Sequence, residues 1–303
     1  MSYDLWFKAE RPVTARELRA YFGERPHFEV DEERAFYENP DTSVYFSFEL
    51  GDEQEEGRLP VAFNVNYYRP HVFGLEAEVE LTRFVERFGL TVDDPQADGM
   101  GEGAYSPDGF LRGWNAGNAF GHQAILGRHP EESPLTLPAA ELERWWSWNY
   151  LRNGLMQEFE GTLAGGFVPT AMFLVFPDEP ERVQVCAVWG EAIPIALPQG
   201  LDQVILVGEG LSAPRYVPAE RVDEVLDAYP VVPAGSVFQT DDGLQKVRAA
   251  YRNVFYEGDE PPAGLWRSLL ALPGVPLGEE RPARAALSQV MTRELVEAVR
   301  AGR

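Results

Sequence analysis

Histidine, serine and carboxylate side chains, which often carry out catalysis, are present in this chain but form no recognised catalytic motif. The histidines are His27, His71, His122 and His129. None of them falls in an H-E-x-x-H arrangement, and no spacing places two imidazoles on adjacent helical turns as many zinc sites require. No G-x-S-x-G nucleophile motif occurs. The sequence therefore predicts no catalytic residue, no metal site and no cofactor, and it favours a binding protein over an enzyme.

Two glycine patterns resemble nucleotide-binding loops without meeting their requirements. The segment VILVGEG, residues 204–210, places G-x-G after a predicted strand. The third glycine of a dinucleotide-binding motif is missing, and Pro214 and Pro218 stand where the following helix should begin. The second pattern, GMGEG at residues 99–103, follows a loop, and we interpret it as a flexible connection.

Glycines recur at every fourth position in the segment GFLRGWNAGNAFG: Gly109, Gly113, Gly117 and Gly121. Ser106 and Pro107 suit the N-cap and first position of a helix, so these glycines belong to a helix rather than to a phosphate-binding loop. Helix-interior glycines cost about 0.8 to 1 kcal/mol each relative to alanine, about 3 to 4 kcal/mol in total, which close packing must offset. We expect this glycine stripe to accommodate Trp145, Trp146 and Trp148 of the following helix.

Three polar side chains lie on the same predicted helix: Asn115, Asn118 and His122. Buried polar groups are usually satisfied, so structural hydrogen bonds to the backbone are one interpretation. The other is a small polar site that could support hydrolysis. The two interpretations differ in whether the side chains converge on a pocket or bond to the backbone.

The charge balance restricts the class of partner. Asp and Glu number 49 against 26 Lys and Arg, which gives a formal net charge of -23. Such a surface repels nucleic acids and anionic membranes and attracts basic proteins. No apolar run is long enough to span a membrane, no signal-peptide pattern opens the chain, and the one cysteine, Cys186, lies in a predicted buried strand. We expect a cytoplasmic protein with a basic protein partner, and neither nucleic acid nor membrane as a ligand.

The elements that must position these residues follow an α+β order. Alternating apolar residues predict a first strand at YDLWF and an antiparallel meander of three strands at RAFYEN, SVYFSFEL and PVAFNVNYY. Thr14 and Glu17 have capping-box spacing, and Gly89 suits the end of a second helix. A tryptophan-rich helix is predicted over about residues 139–160. Later helices are predicted at AERVDEVLDAY, at GLQKVRAAYRNVF and from about 283 to 300.

The order of elements places a boundary near residues 127–134. We expect an α+β fold of antiparallel sheets with packed helices, in two intimately associated halves. Residues 1–130 would form an N-terminal half with the meander. Residues 131–303 would form a C-terminal half with the tryptophan-rich helix, antiparallel strands and the last helices.

One acidic segment is a candidate contact surface for a basic partner. The connection GDEQEEGR joins two strands of the meander and carries Asp52, Glu53, Glu55 and Glu56. Tyr67 and Tyr68, in the following strand, would supply the apolar anchors that charge alone lacks. The alternative is that this acidic segment is only a solubilising loop.

Four segments carry a resemblance to known proteins: MSYDLWFKAE, YENPDTSVYFSFEL, FNVNYYRPHVFGLEAE and AVWGEAIPIALP. They resemble a loose family of uncharacterised bacterial proteins, and the opening is similar to that of many immunity proteins of bacterial toxin systems. The resemblance implies neutralisation of a cognate toxin by direct binding, and it implies no site residue. The alternatives are a hydrolase with a polar site between the halves, around His122 and Asn118, and a scaffold protein without a dissociable partner.

Overall fold

The computed structural model describes residues 1–51, 58–162, 166–209, 211–229, 237–238, 249–254, 261–275 and 281–302. Their helices and strands confirm the α+β class. The strands are β1 Ser2–Ala9, β2 Phe28–Val30, β3 Arg34–Asn39, β4 Val44–Leu50, β5 Val61–Asn66, β6 Leu90–Asp94, β7 Gly101–Ala104, β8 Leu135–Leu137, β9 Met172–Val175, β10 Val183–Gly190, β11 Ile195–Pro198, β12 Gln203–Val207, β13 Arg215–Pro218, β14 Val237–Phe238, β15 Ala249–Val254, β16 Ala283–Ala285 and β17 Val290–Thr292. The helices are α1 Ala15–Gly23, α2 Val72–Phe88, α3 Pro107–Arg128, α4 Ala139–Thr162, α5 Ala219–Leu226, α6 Leu265–Ala271 and α7 Arg293–Ala301.

The chain divides into two compact units, and the division differs from the predicted one. The first unit comprises Met1–Ala139 and Leu287–Arg303, and the second comprises Ala140–Ala286. The end of the chain belongs to the first unit because β17 pairs in parallel with β8. Leu126 of α3 also forms a buried cluster with Met291 and Val296. These pairings join segments far apart in sequence, so the order of elements could not indicate them.

The first unit is built on one antiparallel sheet with the strand order β2-β3-β4-β5-β1-β6-β7. The predicted meander is confirmed as β3, β4 and β5. Alternation buries one face of the sheet, as in Tyr3, Leu5 and Phe7 of β1. Helices cover this face through aromatic contacts: the ring of Phe84 in α2 lies 5.0 Å from that of Phe7, and Phe110 of α3 packs edge-on against Tyr3 at 5.3 Å.

The helix ends of the first unit agree with their sequence signals. Thr14 and Glu17 form the capping box of α1. Gly89 ends α2 with a φ of 63°, a left-handed conformation that glycine adopts without strain. Ser106 caps α3 by accepting a hydrogen bond from the backbone N–H of Gly109. Local capping chemistry therefore sets where these helices begin and end.

The register of β1 brings three distant segments together at the start of the chain. Asp4 lies opposite Asn64 of β5, and Trp6 lies opposite Asp93 of β6. The backbone N–H of Tyr67, just after β5, donates to the carbonyl of Met1 over 3.0 Å. The ends of β5 and β6 therefore both lie beside the first residues of β1.

The second unit contains a five-stranded sheet in the order β13-β12-β10-β9-β16 and a three-stranded sheet in the order β11-β15-β14. The five-stranded sheet is mixed, because β10 and β12 run parallel, and this corrects the expectation of antiparallel strands alone. Cys186 lies in β10 and is buried, as predicted. Burial raises the pKa of its thiol to about 12, so it stays protonated and unreactive.

Two predicted helices are corrected by the structure. Residues 249–254 of the segment GLQKVRAAYRNVF form β15, which pairs with β11. The last helix begins at Arg293 rather than near 283, because residues 283–285 and 290–292 are strands. In both places, pairing with a distant strand overrides a local pattern that suits a helix.

Candidate functional site

A groove of about 500 Å³ lies in the first unit, where the start of β1 meets α3. One wall is the glycine side of α3, and the opposite wall is formed by the first residues of the chain and the loop after β6. Its lining includes Asp4, Tyr67, Asp98, Gly113, Gly117 and Phe120. We call this feature the α3 groove.

The glycine stripe packs against tyrosines rather than against the three tryptophans. A Cβ at Gly113 would lie 2.6 Å from Tyr3 Oη, and one at Gly121 would lie 2.8 Å from Tyr67 Cβ. At Gly117 it would overlap the phenol of Tyr67. The expectation that the stripe accommodates Trp145, Trp146 and Trp148 is therefore wrong. The stripe instead packs within the first unit, against Tyr3 of β1 and against Tyr67, which follows β5.

Tyr67 is half-buried in the α3 groove, as one of the predicted binding residues. Its hydroxyl donates to Gln96 Oε1 over 3.2 Å. Burial, reinforced by the carboxylates of Asp4 and Asp94, raises the pKa of Tyr67 to about 12. Tyr67 is therefore neutral near pH 7 and can act as a hydrogen-bond donor and an aromatic surface.

Two carboxylates line the groove without a cationic partner among the described residues. Asp4 accepts hydrogen bonds from the Ser2 hydroxyl over 2.9 Å and from Asn64 Nδ2 over 2.6 Å. Asp98 is held through its backbone, because its carbonyl accepts from Arg112 Nε over 3.2 Å. Neither carboxylate forms an ion pair within the described part of the chain, although the guanidinium of Arg112 lies near Asp98 through these backbone contacts.

Exposed apolar side chains border the same groove. Phe120 is 62% exposed and Met1 is 61% exposed, and both line it. They add exposed apolar area to the edge of a concave surface, and contiguous apolar area of this kind can mark a protein-interaction site. Sequence reasoning missed Phe120, Asp4 and Asp98. The available signal for Phe120 was its position beside the glycine stripe, between Gly117 and Gly121.

The loop that forms the acidic wall is fixed by one buried carboxylate. Asp94 accepts from the backbone N–H of Gln96 over 3.0 Å and from that of Met100 over 2.8 Å. It also accepts from the hydroxyl of Tyr3 over 2.5 Å. Its neighbour Asp93 pairs instead with Arg58, because successive residues of a strand point to opposite faces.

Tyr68, the other predicted binding residue within the described part of the chain, does not line the α3 groove. Tyr68 adopts a φ of 62°, and its ring lies 4.8 Å from that of His122. Its hydroxyl is 3.4 Å from Glu132 Oε2. The acidic segment residues Asp52, Glu53, Glu55 and Glu56 lie outside the described residues. Tyr67 and Tyr68 are adjacent in sequence, but Tyr67 lines the α3 groove and Tyr68 packs against His122.

Of the three polar residues predicted on α3, Asn118 and His122 bond to the backbone, whereas Asn115 is exposed. Asn118 Oδ1 accepts from the N–H groups of Tyr68 and Arg69, and its Nδ2 donates to the Arg69 carbonyl over 2.8 Å. His122 Nδ1 lies 2.9 Å from the Asn118 carbonyl, which fixes the proton on that nitrogen. Burial lowers the pKa of His122, so the ring is neutral at pH 7. This pattern favours the structural interpretation of Asn118 and His122, neither of which lines the α3 groove.

The described residues contain no group of three or more His, Cys, Asp or Glu side chains that could hold a metal ion. None of the described helices combines the length and apolar character that crossing a membrane requires. Comparison of the chain with protein-family models, curated proteins and solved structures finds no match.

Proposed function

We propose that this chain is an acidic cytoplasmic protein that binds a basic partner directly and neutralises it, as an immunity protein neutralises its cognate bacterial toxin. The observation that carries the proposal is the α3 groove, where the exposed Phe120 lies beside the carboxylates of Asp4 and Asp98. An exposed apolar side chain in the same groove as two carboxylates suits a basic protein surface.

The net charge supports the same proposal. A formal charge of -23 creates a field that attracts a basic partner and accelerates encounter. Charge mainly affects the rate of association and its specificity, whereas buried apolar anchors slow dissociation. The predicted contribution of Asp52, Glu53, Glu55 and Glu56 to attraction stays part of this proposal.

An inhibitor of this kind needs no catalytic machinery of its own. The hydrogen bonds of Asn118 are all made to backbone groups, and His122 is fully buried. No observation favours a hydrolase around these residues, so we propose binding alone.

Capture of the partner from native lysate tests this function. The tagged protein is compared with a Phe120→Ser variant and with Ile193→Ser, which removes another exposed apolar side chain, 40% exposed, in the second unit. We expect one stoichiometric basic protein, released by moderate salt, to be captured by the wild type and by Ile193→Ser. Recovery with Phe120→Ser should fall about tenfold, because an apolar anchor can contribute more than about 1.4 kcal/mol.

Two results would contradict the proposal. An eluate without a basic protein would argue against neutralisation of a basic partner. Equal recovery by Phe120→Ser and the wild type would show that the partner binds elsewhere on the chain.

A further inference from the structure

We propose that the α3 groove binds an arginine side chain presented by the basic partner, an inference that rests on the proposed function. The groove combines apolar lining with two carboxylates that form no ion pair within the described residues, and arginine combines an apolar stem with a planar cation. The lining residues Asp4 and Asp98 supply the charge complementarity.

The α3 wall of the groove suits the stem of a long side chain. Gly113, Ala116 and Gly117 line it with little or no side chain, so no large side chain of α3 projects into the groove from these positions. Phe120 closes one side with an exposed ring. Aliphatic methylene groups that lie along this surface would cover apolar area that is now in water.

The aromatic walls suit a guanidinium group better than an ammonium group. Arg stacks on aromatic rings and donates up to five hydrogen bonds in one plane, whereas Lys is a compact, strongly hydrated charge. Tyr67 and Phe120 supply rings at the groove, and Asp4 and Asp98 supply acceptors. A planar cation can therefore contact rings and carboxylates together.

The carboxylate of Asp4 and the backbone that carries Asp98 are held in place before any ligand arrives. Asp4 is fixed by hydrogen bonds from Ser2 and Asn64, which are neutral donors and leave its charge intact. The loop that carries Asp98 is fixed by Asp94 from one side and by Arg112 from the other. An ordered carboxylate and an ordered loop reduce the conformational entropy that binding would otherwise remove.

Nuclear magnetic resonance titration with short peptides tests the inference without the partner. The probes are acetyl-Gly-Ala-X-Ala-Gly-amide peptides in which X is arginine, lysine, citrulline or glutamate. Citrulline has nearly the shape of arginine but no charge. We expect the arginine peptide to shift the backbone amide signals of Gly113, Gly117 and Phe120 in a saturable manner. The citrulline peptide should bind at least about tenfold more weakly, because charge-assisted hydrogen bonds are lost.

Charge-matched variants identify the acceptors. Asp4→Asn with Asp98→Asn should raise the Kd of the arginine peptide about tenfold. Glu29→Gln with Glu38→Gln removes the same charge from exposed positions on β2 and β3, away from the groove, and should leave the Kd within about twofold. Thermal unfolding of both double variants verifies that they are folded.

The inference is overturned if the citrulline or glutamate peptide binds as tightly as the arginine peptide, or if the Asp4/Asp98 double variant binds the arginine peptide like the wild type. It is also overturned if no peptide shifts the amide signals of Gly113, Gly117 and Phe120 at concentrations up to about 10 mM. The two proposals can fail separately. Partner capture that depends on Phe120, without peptide binding, retains the function and refutes the arginine site. Peptide binding with an empty eluate retains the arginine site and refutes the function.

Discussion

At Gly117, the absence of one side chain shapes the α3 groove. A Cβ there would overlap the phenol of Tyr67, and the same glycine lines the groove. The position therefore has two opposing requirements. Alanine would favour the helix by about 0.8 to 1 kcal/mol, while overpacking costs about 1 to 3 kcal/mol. Close packing against tyrosine explains how the helix tolerates glycine here.

The balance at Gly117 gives a prediction for protein stability. We expect Gly117→Ala to lower the free energy of unfolding by about 1 kcal/mol, because overlap with Tyr67 outweighs the gain in helix propensity. Urea unfolding measures the effect. Gly127→Ala is the matched control on α3, since nothing lies within 4 Å of its added Cβ, and it should not destabilise the protein.

The cause of the Gly117 effect can be isolated with Tyr67→Ala. In that background the overlapping phenol is absent, so Gly117→Ala should become stabilising by up to about 1 kcal/mol. If Gly117→Ala destabilised the protein equally with and without the Tyr67 ring, contact with Tyr67 would not be the reason for glycine at this position.

Among the elements, the loop between β6 and β7 depends on Asp94. We expect Asp94→Asn to destabilise the protein by about 1 to 3 kcal/mol, because the amide cannot accept all three hydrogen bonds that the carboxylate accepts. Hydrogen exchange should also become faster at the amides of Gln96 and Met100. Circular dichroism and urea unfolding provide the stability measurement.

Asp93→Asn is the control for the loop prediction. It removes a neighbouring carboxylate whose ion pair with Arg58 is partly exposed, and such pairs contribute less than about 1 kcal/mol. Equal loss of stability in the two variants, or unchanged exchange at Gln96 and Met100, would show that Asp94 does not organise this loop.

Local patterns predicted the elements whose signals lie within one segment. The capping box of α1, the glycine end of α2 and the N-cap of α3 depend on residues a few positions apart. The segment at 249–254 was misread because alanine and arginine favour helices, whereas pairing with β11 makes it a strand. The sequence alone could not show that distant pairing.

The candidate site was only partly predictable, because pairing between distant segments also brings its residues together. Tyr67 was identified from its aromatic character, and it lines the α3 groove. Asp4 and Asp98 come together because β1 pairs with β6 and places the loop after β6 beside Asp4. Carboxylates are too common in this chain for their type alone to identify a site. The spatial arrangement therefore had to come from the structure.

For the whole molecule, the excess of acidic residues is expected to reduce stability at low salt. With 49 acidic and 26 basic residues, repulsion between like charges outweighs attraction, and salt screens it over about 10 Å at 0.1 M. The free energy of unfolding in urea should therefore rise as NaCl increases from about 0.01 to 0.15 M.

Replacing Asp52, Glu53, Glu55 and Glu56 with serine changes the formal charge from -23 to -19, since four carboxylates are removed. This variant should show a weaker salt dependence, and stability that falls or stays constant with added salt would contradict the expectation. A basic partner would relieve the same repulsion by contributing opposite charge, so the surface that destabilises the free protein favours the proposed complex.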